Sequence, residues 1–147
     1  MQFKSSGIET QWILVSFHAK WLEAFRSNPP EVVFRHRVPS RAPEHMYIYI
    51  GSPVKALIGT CEIVSVNNVS GSEAMALCAA ARIEKQELEE YIAERDSVSL
   101  YRLCNAQVFN KPITLDTLRS CGRFYPPQSF FFLSQEGVAE VDRLVTG

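Results

Sequence analysis

The stretch MYIYIGSPVKALIGTCEIVSV, residues 46–66, contains two strand candidates in direct succession. Met46–Ile50 is an apolar strand that Gly51-Ser52-Pro53 closes, and Leu57–Val66 is a longer strand rich in β-branched residues. Gly59 lies inside the second strand, where a glycine favours a bulge or a barrel corner. Neighbouring strands without a helix between them favour an α+β domain or a small mixed barrel over a doubly wound sheet.

Two further strands are predicted upstream of this pair. Gln11–Phe17 is rich in β-branched and aromatic residues, and a short helix is predicted to follow it over Ala19–Ser27. Glu31–Arg37 alternates in character along its length. Because side chains alternate across a strand, Arg35 and Arg37 are expected on the same face.

Helices and strands continue in mixed order downstream. A capping-box pattern at Ser70 predicts a helix through Ala81, and Glu84–Glu94 is predicted as a second helix with an apolar face of Leu88, Tyr91 and Ile92 and solvated glutamates. The remaining predicted elements are a strand at Val98–Phe109, a short helix at Leu115–Ser120, a strand at Gln128–Leu133 and a terminal helix that Ser134 caps. We therefore expect one α+β domain over residues 11–147, preceded by an N-terminal tail at 1–10.

Composition and charge argue against several classes of protein. The chain has 147 residues, of which 46% are hydrophobic and 21% charged, as in an ordinary globular domain. No apolar run is long enough to cross a bilayer, and no apolar stretch follows Met1–Ser6, so we expect a cytoplasmic protein with no membrane partner. Residues 1–60 carry 7 basic and 4 acidic groups and residues 61–96 carry 3 and 8, which predicts a two-faced molecule.

The cysteines and histidines do not have the spacing of metal ligands. Four cysteines lie at 61, 78, 104 and 121, and three histidines at 18, 36 and 45. We expect no metal, no cofactor and no catalytic cysteine, with most of the cysteines packed inside the protein. Cys61 and Cys104 fall in apolar strands, where burial raises the pKa of a thiol. Large side chains are also expected to be buried along the strands, namely Trp12, Leu14, Phe34, Tyr47, Tyr49, Ile58 and Phe131.

A cluster of basic residues is the candidate binding site that the pattern supports. Arg35, Arg37 and Arg41 are predicted near the strands that end at Ser52-Pro53, together with Lys20 and Lys55. Basic side chains beside aromatic ones suit contact with phosphates and stacking on bases. In the structural alternative, Glu31, Glu44 or Glu62 neutralises the arginines in ion pairs.

Several of these segments, taken in order, resemble the ASCH domain family. The matching motifs lie within Ile13–Phe25, Val33–Arg37 (VFRHR), Tyr47–Gly59 followed by Glu62-Ile63, Lys111–Leu115 (KPITL) and Pro126–Phe130 (PPQSF). Together they cover roughly residues 11–133. The resemblance implies a PUA-like fold, which is a small mixed β-barrel flanked by helices.

The resemblance also implies a function. ASCH proteins are associated with RNA binding and, in some cases, with regulation of transcription or translation. Their ligand cleft corresponds here to Lys20, Arg35, Arg37, Ser52 and Lys55, with Gln128 and Ser129 at the rim. We therefore expect a non-catalytic, regulatory module that binds RNA or a nucleotide-like ligand in a basic cleft.

Two other functions remain open on the sequence. Some bacterial ASCH proteins resemble amidohydrolases that act on N4-acetylcytidine through a lysine, a Thr or Ser nucleophile and a glutamate. Pro30 cannot replace the lysine and Val33 has no hydroxyl, so this constellation is broken here. The first alternative is a small hydrolase that acts on a modified nucleoside or RNA in the same cleft. The second is a protein-interaction domain that uses the acidic helix Glu84–Glu94.

Overall fold

Six strands form one curled sheet in the computed structural model, which describes residues 1–7 and 9–147. The strands are β1 (Trp12–Phe17), β2 (Val32–Arg35), β3 (His45–Ile50), β4 (Ala56–Ser70), β5 (Ser97–Thr114) and β6 (Phe130–Phe132). Their order across the sheet is β2-β5-β4-β3-β1-β6. Strands β1 and β3 run parallel and all other neighbours run antiparallel, which gives a mixed half-barrel. The predicted α+β fold is confirmed.

Helices fill the connections and flank the sheet. A 3-10 turn at Ala19–Trp21 leads into α1 (Leu22–Ser27), and the later helices are α2 (Gly71–Met75), α3 (Cys78–Ala81), α4 (Lys85–Ile92), α5 (Leu115–Cys121) and α6 (Gln135–Thr146). As predicted, the hydroxyls of Ser70 and Ser134 cap α2 and α6. Over residues 1–7 and 9–147, no helix is long and apolar enough to cross a membrane.

The helix predicted from Ser70 through Ala81 is interrupted. Leu77 has φ −107° and ψ 15°, which lies outside the helical region and separates α2 from α3. Its side chain is half-buried and packs against the core cluster beneath these helices. The alanine-rich sequence therefore forms two short helices here and not the single helix that was predicted.

Gly59 lies at a bulge, as predicted. The register between β4 and β5 shifts between Leu57 and Gly59, and the register between β3 and β4 shifts between Ile48 and Tyr49. A Cβ atom on residue 59 would lie 2.3 Å from the Gln107 carbonyl oxygen, so a glycine is required for β5 to approach. A bulge bends its strand and increases the local twist, which helps to curl this sheet.

The alternating side chains of the strands form separate hydrophobic clusters on the two faces of the sheet. Leu14, Tyr47 and Tyr49 pack with α5 and α6, whereas Ile13, Val15 and Phe17 pack inside the curl. Of the large side chains predicted to be buried, those confirmed are Leu14, Phe34, Tyr47, Tyr49, Ile58 and Phe131.

Trp12 is an exception to the predicted burial. It is only half-buried, because it begins β1 at the margin of the sheet. There its ring stacks on His45 and on Tyr47, with centroid distances of 4.4 Å in both pairs. The indole therefore covers the end of the apolar cluster while keeping one side in solvent.

The prediction that most cysteines are packed inside is wrong. Only Cys61 is buried, Cys78 and Cys121 are half-buried, and Cys104 is exposed. Strands β4 and β5 run for 15 and 18 residues, which is longer than the helices can cover. Cys104 lies on the uncovered face of this long pair, where apolar neighbours in sequence do not imply burial.

The prediction of an N-terminal tail over residues 1–10 is also wrong for the first residues. Phe3 is fully buried, and its ring meets the ring of Phe124 edge-on at 5.4 Å. Gln2 pairs with Arg123 and Lys4 with Leu133 through isolated backbone bridges. The segment therefore contributes an aromatic side chain to the core, a long-range contact that no local pattern announces.

Candidate nucleotide-binding site

The two ends of the curled sheet face each other across a seam. Strand β2 ends the sheet on one side and β1 with β6 ends it on the other, and no ladder joins them in the described part of the chain. Arg35, the last residue of β2, bridges this gap. Its Nη2 donates to the Ser16 carbonyl oxygen of β1 at 3.1 Å, and its Nη1 donates to the Phe34 carbonyl oxygen at 2.9 Å. A side chain therefore links strands that no backbone bonds connect.

A cavity of about 490 Å³ opens at the seam, a size typical of small-molecule sites. Its apolar lining includes Phe17, Trp21, Val33, Phe34, Ile83 and Tyr91. Its polar lining includes Lys20, Arg35, Arg37, Glu87, Gln128 and Ser129. The cavity thus combines aromatic surfaces with polar groups that include three cations and one carboxylate.

Arg35 and Arg37 line the cavity without carboxylate partners. The ion pairs found among the described residues are Lys20–Glu87, Arg26–Glu23 and Arg143–Glu140. Hence the structural alternative, in which Glu31, Glu44 or Glu62 neutralises the arginines, is wrong. The positive charge of the two guanidinium groups is available to an anion.

Each of these guanidinium groups rests on an aromatic ring. The Arg35 guanidinium carbon lies 4.6 Å from the Phe17 ring centroid, and that of Arg37 lies 5.2 Å from the Phe130 centroid. Stacking of this kind holds the plane of the group and leaves its N–H edge for hydrogen bonds. Arg35 is half-buried, and its burial lowers the pKa of the guanidinium, whereas Arg37 is exposed.

Lys20 lies in the cavity wall and is paired with an acid. Its Nζ donates to Glu87 Oε1, and the two side chains are 53% and 42% exposed. Glu87, which was predicted on the solvated side of its helix, is partly exposed there and also meets Lys20, because the 3-10 turn brings Lys20 opposite α4. An ion pair this exposed contributes little to stability. A stabilising role therefore does not account for its position in the cavity wall.

His36 and Tyr91 complete the aromatic wall, and neither was assigned to the site from the sequence. Their rings stack at 3.9 Å, His36 Nε2 lies 2.7 Å from the Tyr91 carbonyl oxygen, and Tyr91 Oη donates to the Phe34 carbonyl oxygen at 3.4 Å. His36 immediately follows β2 and lines the same cavity as Arg35. That α4 packs against this segment could not be read from the strand itself.

Three residues of the predicted site lie elsewhere. Ser52 and Lys55 belong to the turn between β3 and β4 and do not line the cavity, so the expectation that Lys55 shares a cleft with the arginines is wrong. The Lys55 carbonyl accepts from the Leu115 amide, which holds this turn against α5. Arg41 also lies outside the cavity, with its guanidinium carbon 3.8 Å from the Phe132 ring centroid and Nη1 donating to the Thr10 carbonyl oxygen.

The remaining predicted residues meet at the seam. Lys20, Arg35 and Arg37 line the cavity with Gln128 and Ser129, which immediately precede β6. The positions of these five residues agree with the cleft that the sequence resemblance implied. Their role in binding stays a prediction.

Comparison with solved structures identifies the architecture. The crystal structure of ASCH from Zymomonas mobilis matches with a TM-score of 0.83 and 25% identity, covering 91% of this chain and 95% of that chain. A mutant form of the Zymomonas mobilis protein matches with a TM-score of 0.85 and 24% identity, covering 92% and 97%. The N-terminal domain of Staphylothermus marinus McrB is more distant, with a TM-score of 0.60 and 14% identity over 97% and 98%.

No family model matches the sequence, and the comparison with curated proteins finds no match. The similarity to ASCH domains therefore consists of the fold and the ordered motifs. The chain folds as an ASCH domain, which confirms the resemblance that its sequence motifs carry.

Proposed function

We propose that this protein is a non-catalytic binding module for RNA or a nucleotide-like ligand, and that the seam cavity holds one nucleotide. The observation that carries the proposal is the pair Arg35 and Arg37, which line an aromatic cavity without carboxylate partners. The similarity in fold to ASCH domains supports it. We also propose a regulatory role, because a module of this kind regulates an RNA by binding to it.

Arg35 is suited to bind a phosphate. Two backbone carbonyls and the Phe17 ring already fix its guanidinium, so little conformational entropy is lost when a ligand binds. Its burial disfavours the charged form and lowers its pKa, and a phosphate beside it would offset that cost. Arginine and phosphate also form charge-assisted hydrogen bonds, which are stronger than neutral ones.

The aromatic side chains supply the second half of the proposed binding mode. Trp21 and Tyr91 line the same cavity as the arginines and are both half-buried. Proteins that bind single-stranded RNA stack unpaired bases on such rings while cations hold the backbone. The cavity would therefore take one unstacked nucleotide rather than a duplex.

Arg37→Ala tests this proposal directly, because Arg37 is exposed and its aromatic contact is with Phe130. The variant should melt like the wild type and bind a labelled single-stranded RNA about tenfold more weakly, the cost of one charged hydrogen bond. Fluorescence anisotropy at several salt concentrations should also give a log–log slope that is shallower by about 0.7.

The matched control is Arg102→Ala. Arg102 is an exposed arginine of β5 that does not line the cavity, so its loss removes the same charge elsewhere. Its affinity for RNA should equal that of the wild type. Equal weakening in both variants would mean that the affinity for RNA depends only on the net charge of the protein. Unchanged binding by Arg37→Ala would show that the cavity is not the RNA-binding site.

The same mixtures test the absence of catalysis. After prolonged incubation, chromatography should recover the RNA with its length and base composition unchanged. Cleavage or conversion of a base, lost in Arg37→Ala, would contradict the non-catalytic part of the proposal and favour the hydrolase alternative.

A further inference from the structure

The seam cavity has two chemically different ends. Lys20, Trp21 and Glu87 also line a second cavity of about 380 Å³, which extends along α1 toward Glu84. Arg35 and Arg37 do not line that second cavity. The first three residues therefore form one end of the seam cavity, here called the paired end, and the two arginines lie away from it.

Glu87 gives the paired end its character. Among the described residues that line the seam cavity, it is the sole carboxylate. Its negative charge repels a phosphate, so an anionic ligand would place its phosphate near Arg35 and Arg37 and its other end near Glu87. Lys20 bonds Glu87 Oε1, and Oε2 has no hydrogen bond to any described residue. The group that meets Glu87 must then be a hydrogen-bond donor.

We propose, on the basis of the proposed function, that Lys20 and Glu87 read the edge of the bound base and select guanine. A carboxylate accepts through two oxygens and an ammonium group only donates. Guanine presents two adjacent donors, N1–H and the N2 amino group, beside the O6 acceptor. Adenine, cytosine and uracil each offer a carboxylate one donor group on that edge.

Trp21 places the base for this reading. Its indole lines both cavities, is half-buried, and has Lys20 Nζ 5.8 Å from its ring centroid. A base stacked on this ring would have its hydrogen-bonding edge beside Lys20 and Glu87. Stacking alone tolerates every base, so the discrimination falls to the ion pair.

Titration calorimetry on the full chain tests the proposal with the 5′-monophosphates of guanosine, inosine, adenosine, cytidine and uridine. Guanosine monophosphate should bind tightest, and inosine monophosphate, which lacks only the N2 amino group, about tenfold more weakly. Glu87→Gln replaces one acceptor oxygen by a donor and should abolish that difference. Glu90 is an exposed glutamate of α4 that lines neither cavity, so Glu90→Gln should keep the difference in affinity between the two nucleotides.

The outcomes separate this proposal from the one on which it rests. Equal affinity for guanosine and inosine monophosphates in the wild type would overturn guanine selection and leave nucleotide binding in place. A guanosine preference that survives in Glu87→Gln would overturn the assignment to this ion pair. Binding of none of the five nucleotides would overturn both proposals.

Discussion

Cys61 on β4 and Cys104 on the neighbouring β5 differ in their exposure to solvent. Cys61 Sγ is buried 3.7 Å from Met46 Sδ, and its burial raises the pKa of the thiol to about 12. Cys104 is exposed beside the Glu62 carboxylate. Partial desolvation and that carboxylate raise its pKa as well, so access rather than ionisation distinguishes the two thiols.

We therefore expect iodoacetamide to label Cys104 in the native protein and to leave Cys61 unmodified between pH 7 and pH 9. Alkylation requires the reagent to reach the sulfur, and Cys61 is buried whereas Cys104 is exposed. Peptide mass spectrometry gives the extent at each site, and labelling in urea shows that both thiols are present. Native labelling of Cys61 at the rate of Cys104 would show that the strand is open.

At the residue scale, the sequence predicts the arginines better than their surroundings. Arg35 and Arg37 line the same cavity, but the strand predicted over Glu31–Arg37 ends at Arg35, and Arg37 lies in the bend that follows it. Glu87 and Tyr91 reach the same cavity only because α4 folds back over β2, more than fifty positions earlier in the chain. No local pattern contains that contact. Lys55 fails for the converse reason, since its turn is held by α5 rather than by the strands near it in sequence.

Elements were predictable wherever a cap or a turn residue marks them. The capping box at Ser70 is formed as expected: Ser70 Oγ accepts from the Glu73 amide at 3.2 Å, and Glu73 Oε1 accepts from the Ser70 amide at 3.1 Å. Strand length was harder, because β4 and β5 continue to Ser70 and Thr114 by pairing with each other. Pairing partners extend a strand beyond what its own residues indicate.

Ser70→Ala should destabilise the protein by about 1 kcal/mol, the usual cost of a lost cap. Urea unfolding followed by circular dichroism measures it, and Ser40→Ala, at an exposed loop serine with no side-chain hydrogen bond in the described structure, serves as the control. The hydrogen bonds with Ser70 lower the pKa of Glu73 below its usual value of 4.5. The part of this stabilisation that depends on the Glu73 carboxylate is present above that pH and is lost as the pH falls through the lowered pKa. The difference between Ser70→Ala and the wild type should therefore become smaller in acid without vanishing, because Ser70 Oγ still accepts from the Glu73 amide. A constant difference at every pH would contradict this account.

At the scale of the whole molecule, Arg35 has two structural positions that a single substitution removes together. It bonds the Ser16 carbonyl across the seam, and it lines the cavity. Arg35→Ala should lower the free energy of unfolding by about 1–2 kcal/mol, for the loss of two charge-assisted bonds, and should also weaken RNA binding. Urea titration beside Arg37→Ala, which should affect binding alone, checks this. An unfolding curve for Arg35→Ala that is identical to the wild type would show that the Arg35 contact across the seam does not stabilise the protein.

The strand order of the sheet is the property that the sequence predicted least directly. Ordered motifs were sufficient to imply a small mixed barrel. The parallel pairing of β1 with β3, and the displacement of β2 to the far side of β5, depend on contacts between distant segments. They follow from which apolar faces cover one another, and a pattern read along the chain does not contain that choice.

The barrel is open along one line, because β2 and β6, the two edge strands of the sheet, do not pair with each other in the described part of the chain. On that line the strands are joined by the Arg35 side chain, and Arg37 lies over Phe130 of the opposite edge strand. A ligand that bound both arginines from the side of β6 would connect the two edges of the sheet, and its binding free energy would add to the stability of the folded protein. Ligand binding would then be measurable as a rise in the melting temperature, because the bound protein must release its ligand before it unfolds.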